Sequence, residues 1–417
     1  MPVFDQGYQH WQGSLDGHGW RWLAVARHGV RVGMKNPFVR RLVILAWLPA
    51  LALAGVVCLW GMVEHRAEWA VAVLRAFRPL RPLLDDPEAY RGAAWTIAFH
   101  FFVWAELYVS MLLVLLVGPS LISEDLRFNA LPLYFSRPVR RVDYFVGKLG
   151  VVGFFLGLVT VVPAVAAWVL GVLFSFDLGV IVDTARLLGA MILYGVIVTL
   201  SAGLFVLALS SLTRNSRYVA IVWAGVWLVT LFVSHMLERI HQLQSQRRHL
   251  GGDPRLAELG REITEINRKL GRVWDDPRVP PPAPNLDPVE LARLQQRLNE
   301  LQQEQARGLD LRWIEGQKSY EEARGEDWRP LLSYAGNLQR LGFALLGSRA
   351  AWEKVDQLLD ARFGPNNPGG RNFRGPSLTS RMVPVYPWYW SALVLLALAG
   401  LSAWVLNRRV QSLDRLR

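Results

Sequence analysis

Six stretches of the chain are apolar almost without interruption: 42–63, 93–117, 150–174, 187–209, 218–236 and 389–406. Each is close to the ~20 residues that a helix needs to cross a ~30 Å hydrocarbon core, so the pattern predicts six membrane-spanning helices. Between the fifth and sixth lies a polar stretch, 236–385, with a different period. Leu256, Leu259, Ile263, Ile266, Leu270 and Val273 recur at alternating three- and four-residue steps, and Leu291, Leu294, Leu298 and Leu301 do the same. This is the seam of paired helices, and VPPPAPNLDP between the two runs cannot continue a helix, which predicts an antiparallel coiled-coil hairpin. Ahead of the first span, residues 19–33 (GWRWLAVARHGVRVG) place Trp22, Val25, Gly29 and Val32 on one helical face and Arg21, Ala24, His28 and Arg31 on another. That amphipathicity suits a helix on the inner membrane surface, the alternative being an irregular basic leader. Near the far end, 331–346 (LLSYAGNLQRLGFALL) reads as an amphipathic helix at the outer interface, and 364–375 as a Gly/Asn/Pro loop.

Composition sharpens the membrane reading. Of 417 residues 52% are hydrophobic and 18 are tryptophan, too apolar for a soluble domain unless concentrated in spans. The net charge of +12 invites a nucleic-acid reading, but residues 236–385 hold 23 Lys/Arg against 20 Asp/Glu, leaving +9 on the membrane part. The excess clusters in short loops: Arg21, Arg27, Arg31, Lys35, Arg40 and Arg41; Arg127, Arg137, Arg140, Arg141 and Lys148; Arg214 and Arg217; Arg408, Arg409, Arg415 and Arg417. With six spans all four groups fall on one side, the cytoplasmic one, so nucleic acid is not an expected partner. The loop 64–92 dilutes the signal, with five Arg against five acids. No charged-then-apolar leader precedes the first span, so the expectation is that this span itself directs insertion. Parity then puts 236–385 outside, with Tyr386, Trp388, Tyr389 and Trp390 as the aromatic anchor where the chain returns. The expected fold is an all-α membrane protein: a cytoplasmic N-terminus with the interfacial helix (1–41), spans one to five (42–235) with a cytoplasmic loop at 118–148, an extracytoplasmic helical-hairpin insert (236–385), and span six with a cytoplasmic tail (386–417).

Catalytic motifs are not found. The sequence has no phosphate-cradling GxxxxGK[ST], no dinucleotide GxGxxG after a strand, no HExxH, CxxC or GxSxG, and His235 and His241 are spaced off one helical face. Cys58 is the single cysteine and lies in the first span, which excludes an intrachain disulfide. The chain is therefore expected to be no enzyme, to bind no cofactor or metal directly, and to hydrolyse no nucleotide. Glu106, mid-way along span two, is costly at that depth. Either it lines a substrate route or gates the two halves, or it is protonated or bonded to a Ser or Thr of a neighbouring helix and holds the bundle together. His100, six residues earlier, falls on roughly the opposite side. Gly150, Gly153 and Gly157 form a small-residue stripe for close packing, and Pro163 can bend span three.

The charged island 118–148, GPSLISEDLRFNALPLYFSRPVRRVDYFVGK, is the most informative segment. Residues 122–128 can form a short helix presenting Glu124, Asp125 and Arg127 to solvent; Pro132 then breaks the chain, and Ser136-Arg137-Pro138 can start the helix that runs through Asp143 and Gly147-Lys148 into span three. A charged loop of this kind is a docking surface or a solvated topological linker. Its acid pair, central leucines, Ser-Arg-Pro, following Arg and Gly-Lys resemble the loop between the second and third helices of ABC-2 type transporter permeases. The outer NLQRLGFALLG and terminal NRRV segments fit the same layout. The resemblance implies a coupling helix seated in a separate ATPase subunit, with Ile122, Glu124, Asp125, Leu126, Arg127, Leu131 and Arg137 carrying the coupling, ATP held by that partner, and Glu106 as candidate lining of the path. It also implies a second permease copy or homologous permease as partner, contact with membrane lipid, and a multi-pass place in the bacterial inner membrane with both termini cytoplasmic, in an exporter. The long hairpin departs from the family's usual short outer loop. It supports a second reading, in which the chain passes ATPase motion to an extracytoplasmic partner as a mechanical or scaffolding device; shortening the hairpin would then abolish function, whereas a transporter would keep part of it.

Overall fold

The computed structural model describes residues 20–76, 81, 83–135, 140–250, 254–270, 287–323, 327–363 and 377–410, and every regular element in them is helical. In chain order the helices are α1 (Arg21–Lys35), α2 (Pro37–Leu45), α3 (Trp47–Glu64), α4 (Glu68–Ala76), α5 (Pro87–Val117), α6 (Ser120–Arg127), α7 (Leu131–Phe135), α8 (Arg141–Val159), α9 (Val161–Ser175), α10 (Gly179–Leu212), α11 (Ser216–Leu250), α12 (Pro254–Lys269), α13 (Pro288–Ala323), α14 (Tyr334–Leu346), α15 (Ser348–Phe363), α16 (Leu378–Met382) and α17 (Trp388–Val410). Among the described residues six stretches are long and apolar enough to cross a membrane: Pro37–Glu64, Pro87–Arg127, Arg141–Ser175, Gly179–Leu212, Ser216–His241 and Trp388–Arg409. Each contains one of the six apolar runs of the sequence. The helices extend past those runs because hydropathy marks only the hydrocarbon-facing middle, whereas backbone hydrogen bonding continues into the polar ends.

Local chemistry sets the starts and breaks. Asn36 caps α2 by accepting from the Phe38 N–H at 2.9 Å, and Asp86 caps α5 through the Ala89 N–H at 3.1 Å, each just ahead of a proline at the first helical position. Span one breaks at Ala46 because Pro49, having no N–H, leaves the Leu45 carbonyl without its helical donor. Span three breaks at Thr160 in the same way ahead of Pro163, and the Thr160 hydroxyl donates back to the Leu156 carbonyl at 2.7 Å.

The core is continuous across the bundle. Trp95, Phe99, Phe155, Tyr194 and Trp223 are fully buried, whereas outward positions such as Leu51, Val182 and Phe232 are apolar and exposed, which suits lipid rather than water. α3 packs on α5 and α9, and α10 touches α5, α8, α14 and α17. α1 lies against α8 through glycines: a Cβ on Gly147 would come within 2.8 Å of the Trp22 carbonyl oxygen, and one on Gly29 within 2.5 Å of the Val151 side chain. Trp22, Val25 and Gly29 share the face packed on α8; Val32 does not, being 49% exposed. In the small-residue stripe of span three, Gly150 meets α1 and Gly153 meets Thr199, but Gly157 faces open space, so the stripe is shorter than expected.

One ion cluster ties together the ends of four elements. The Arg91 guanidinium donates to both Glu64 oxygens at 2.7 and 3.0 Å and lies 3.0 Å from Asp177 and 3.1 Å from Asp183. The side chains of Arg91 and Glu64 are only 7% and 4% exposed, whereas Asp177 and Asp183 are half exposed. The end of span one, the start of span two, the 175–179 turn and the start of span four thus share one buried cation.

α12 and α13 pair antiparallel. Leu259, Ile263, Ile266 and Leu270 bury against Leu298 and Leu301, with Leu256 and Leu294 at the edge. Arg255 pairs with Glu304 at 2.7 Å and Glu262 with Arg297 at 3.2 Å, one number rising as the other falls. These exposed pairs contribute little energy but fix the register. Val273 and most of the proline-rich connection lie outside the described residues, as do the 364–375 loop, Arg415 and Arg417.

Candidate functional site

The island between spans two and three folds as a short helix held from two sides. α6 continues span two after the Gly118-Pro119 bend. Its first turn is capped from span four: the Ser210 hydroxyl accepts from the Ile122 and Ser123 N–H groups at 3.1 and 2.9 Å and donates to the Pro119 carbonyl at 2.8 Å. Two N–H groups that a helix start would otherwise leave open are satisfied by one hydroxyl, and the Pro119 carbonyl accepts from the Ser123 hydroxyl as well. The helix ends at Phe128, and Asn129 takes a left-handed conformation (φ +50°), which asparagine tolerates better than most residues.

The second anchor is charged. Asp125 Oδ2 accepts from Lys148 Nζ at 2.6 Å and from the Tyr144 hydroxyl at 2.6 Å, with the Lys148 and Asp125 side chains 9% and 15% exposed. The Lys148 ammonium also lies 5.4 Å from the Tyr144 ring centroid and 5.9 Å from that of Tyr134. Burial, and then the Asp125 carboxylate, push the Tyr134 phenol upward, so it stays protonated beside this pair.

This corrects the expected exposure of the loop. Asp125 is not presented to solvent; it is turned inward onto span three. Ile122 and Leu131 are buried and Leu126 is half buried, so these three pack the loop onto the bundle. Glu124 and Arg127 do face outward, joined by a residue that sequence reasoning missed, Phe128, which is 71% exposed with the Arg127 guanidinium 5.5 Å from its ring centroid. The signal was there: a large aromatic immediately after an acid-and-base helix and before Asn-Ala has no apolar partner in its own segment. Arg137, with Ser136 and Pro138, lies outside the described residues. The helix into span three begins at Arg141, where the Arg140 N–H donates to Asp143 Oδ2 at 3.1 Å.

Glu106 lies inside the bundle, 1% exposed, and both its carboxyl oxygens lack a hydrogen-bond partner among the described residues. A bond to a Ser or Thr of a neighbouring helix, one of the arrangements open to this residue, is not formed among the described residues. Ser110, one turn along the same face, and Tyr194 on span four, within electrostatic range of Glu106, have hydroxyls equally without partners. Three unsatisfied polar side chains together in an apolar bundle call for water or another polar occupant. Glu106→Gln, which keeps shape and hydrogen bonding, should leave assembly intact and reduce transport-linked ATP turnover if the carboxyl lines the route; unchanged turnover would remove it from the route.

A cleft of about 580 Å³ opens beside the same stretch of α5, lined by His100, Phe101, Trp104 and Tyr108 from that helix, by His235 from α11 and by Phe343 from α14. Glu106 does not line it. The His100 ring stacks on Phe343 at 3.7 Å between centroids and meets Trp352 edge-on. The i, i+4, i+8 spacing of His100, Trp104 and Tyr108 is the sequence signal for this face, hidden within an apolar run. No group of three or more metal-ligating side chains occurs among the described residues.

Residues 70–327, more than half of the 417, match the family model described as ABC-2 family transporter protein. No curated protein and no solved structure matches the chain.

Proposed function

The chain belongs to the ABC-2 family of transporter proteins, and from that premise we propose that it is the permease subunit of an exporter driven by a separate ATPase seated on the 118–148 loop. The carrying observation is the build of that loop. Glu124, Arg127 and Phe128 stand outward at the end of a helix whose other contacts are fixed to span four by Ser210 and to span three by the Asp125–Lys148 pair. An outward charged and aromatic tip on so constrained a base can transmit a push to two spans at once. Two permease copies, or this chain with a homologue, flank the path. Glu106 and the aromatic cleft are its candidate lining, and ATP is bound by the partner.

In this reading the bundle sits in the bacterial cytoplasmic membrane with both ends and the 118–148 loop inside, α1 at the inner interface, and the α12–α13 pair outside as a helical insert that can meet an extracytoplasmic protein. Cysteines introduced at Gln302 and Ser216, in a Cys58→Ala background, should react with an impermeant maleimide from opposite sides. Labelling of both from one side would end the six-span topology. A second reading, mechanical transmission to an outer partner, is favoured by one feature: α11 runs 35 residues without a break from the inner end of span five to Leu250, and it packs on α13.

A further inference from the structure

We propose that the outward face of α1 is a binding site for the phosphates of anionic lipids in the inner leaflet. The roll of α1 about its axis is fixed by its glycine contacts. Trp22 lies at Gly147 and Gly150, Ala26 at Gly150, Gly29 at Val151 and Gly33 at Phe155, so the helix leans along span three over three turns in the same direction as α8. At 100° per residue, the opposite side of such a helix carries Arg27, His28, Arg31 and Lys35, and all four are exposed.

Among the described residues no ion pair neutralises this face. No Asp or Glu occurs from residue 20 to residue 63, and Arg27, Arg31 and Lys35 form no ion pair with any described residue. A single residue, Asn36, separates α1 from the first span, whose opening turns expose Arg40 and Arg41 and then Phe38, Ile44 and Leu45. The cations therefore stand at the level where the chain enters hydrocarbon. Leu23 and Val32, 45% and 49% exposed, flank them on the two sides, while Val30 and Met34 are half buried against the core. A row of cations bordered by apolar side chains matches the boundary between phosphate and acyl chain, whereas an acidic protein partner would leave that flank uncovered.

The inference rests on the reading that α1 lies at the cytoplasmic end, and its test is independent of that reading. The full-length chain, purified in neutral detergent, is titrated with phosphatidylglycerol or phosphatidylcholine, and bound lipid is counted by native mass spectrometry. Each cation at an anionic surface contributes about 1 kcal/mol, or roughly fivefold. The triple variant Arg27→Gln/Arg31→Gln/Lys35→Gln should thus lose at least tenfold of the preference for phosphatidylglycerol while phosphatidylcholine binding and the lipid-free melting temperature stay unchanged. The pair Arg261→Gln/Arg293→Gln, exposed on α12 and α13 away from the spans, should leave the preference intact. An undiminished preference in the triple variant, an equal loss of both lipids, or an equal drop in the control pair would overturn the proposal. Loss of a co-purifying soluble subunit with the lipid preference unchanged would make this face a protein interface instead. A topology error would appear only in the sided labelling, because detergent offers both faces of the chain to lipid.

Discussion

Arg91→Met is expected to destabilise the folded chain by about 3–5 kcal/mol, because it leaves the Glu64 carboxylate, 4% exposed, without the cation that holds it. Asp177 and Asp183 are half exposed and stay hydrated when Arg91 is gone, so their share of the loss is small. The methionine keeps most of the arginine stem, and the effect reads charge rather than volume. The double variant Arg91→Met/Glu64→Met should recover most of the loss, since replacing both members of a buried pair by apolar groups is often neutral. Denaturant titration of the purified protein measures it; a loss below about 1 kcal/mol in the single variant would show that the cluster is hydrated.

Asp125→Ala should have a comparable effect for the same reason and a different consequence. It removes the partner of Lys148, whose side chain is 9% exposed, and the acceptor of the Tyr144 hydroxyl. The cost again falls near 3–5 kcal/mol, and α6 loses its tie to span three while keeping the Ser210 cap. Glu124→Ala, on the outward side of the same helix, should stay within about 0.5 kcal/mol of the parent, as exposed substitutions do. Equal effects at these neighbouring positions would contradict the inward placement of Asp125.

These two predictions mark the limit of what the sequence alone discloses. The six spans were legible because an apolar run of about 20 residues has few other uses. The loop was legible as a segment but not in its orientation: Glu124 and Asp125 are adjacent acids, and which of them turns inward depends on Lys148, 23 residues on, whose position is set by the packing of span three. Arg91 looked like one of five arginines in a charge-balanced loop, since its three acids come from positions 64, 177 and 183. The cleft was invisible because its His100, Trp104 and Tyr108 sit within an apolar stretch and its other walls come from α11 and α14. Contacts between distant segments left no local period to read.

The central claim, an ATPase seated on the outward tip of α6, is tested most directly by co-purification. The chain is isolated from native membranes as the parent, as Glu124→Lys/Phe128→Ala, and as Glu300→Lys/Glu304→Lys on α13. Truncating a packed interfacial aromatic and reversing a charge beside it typically costs a few kcal/mol at an interface, enough to release the partner. The account predicts a soluble ATPase in fixed ratio with the parent and the α13 variant, and its loss from the α6 variant while that variant keeps parental stability. An ATPase retained at full ratio and full turnover by the folded α6 variant would contradict it.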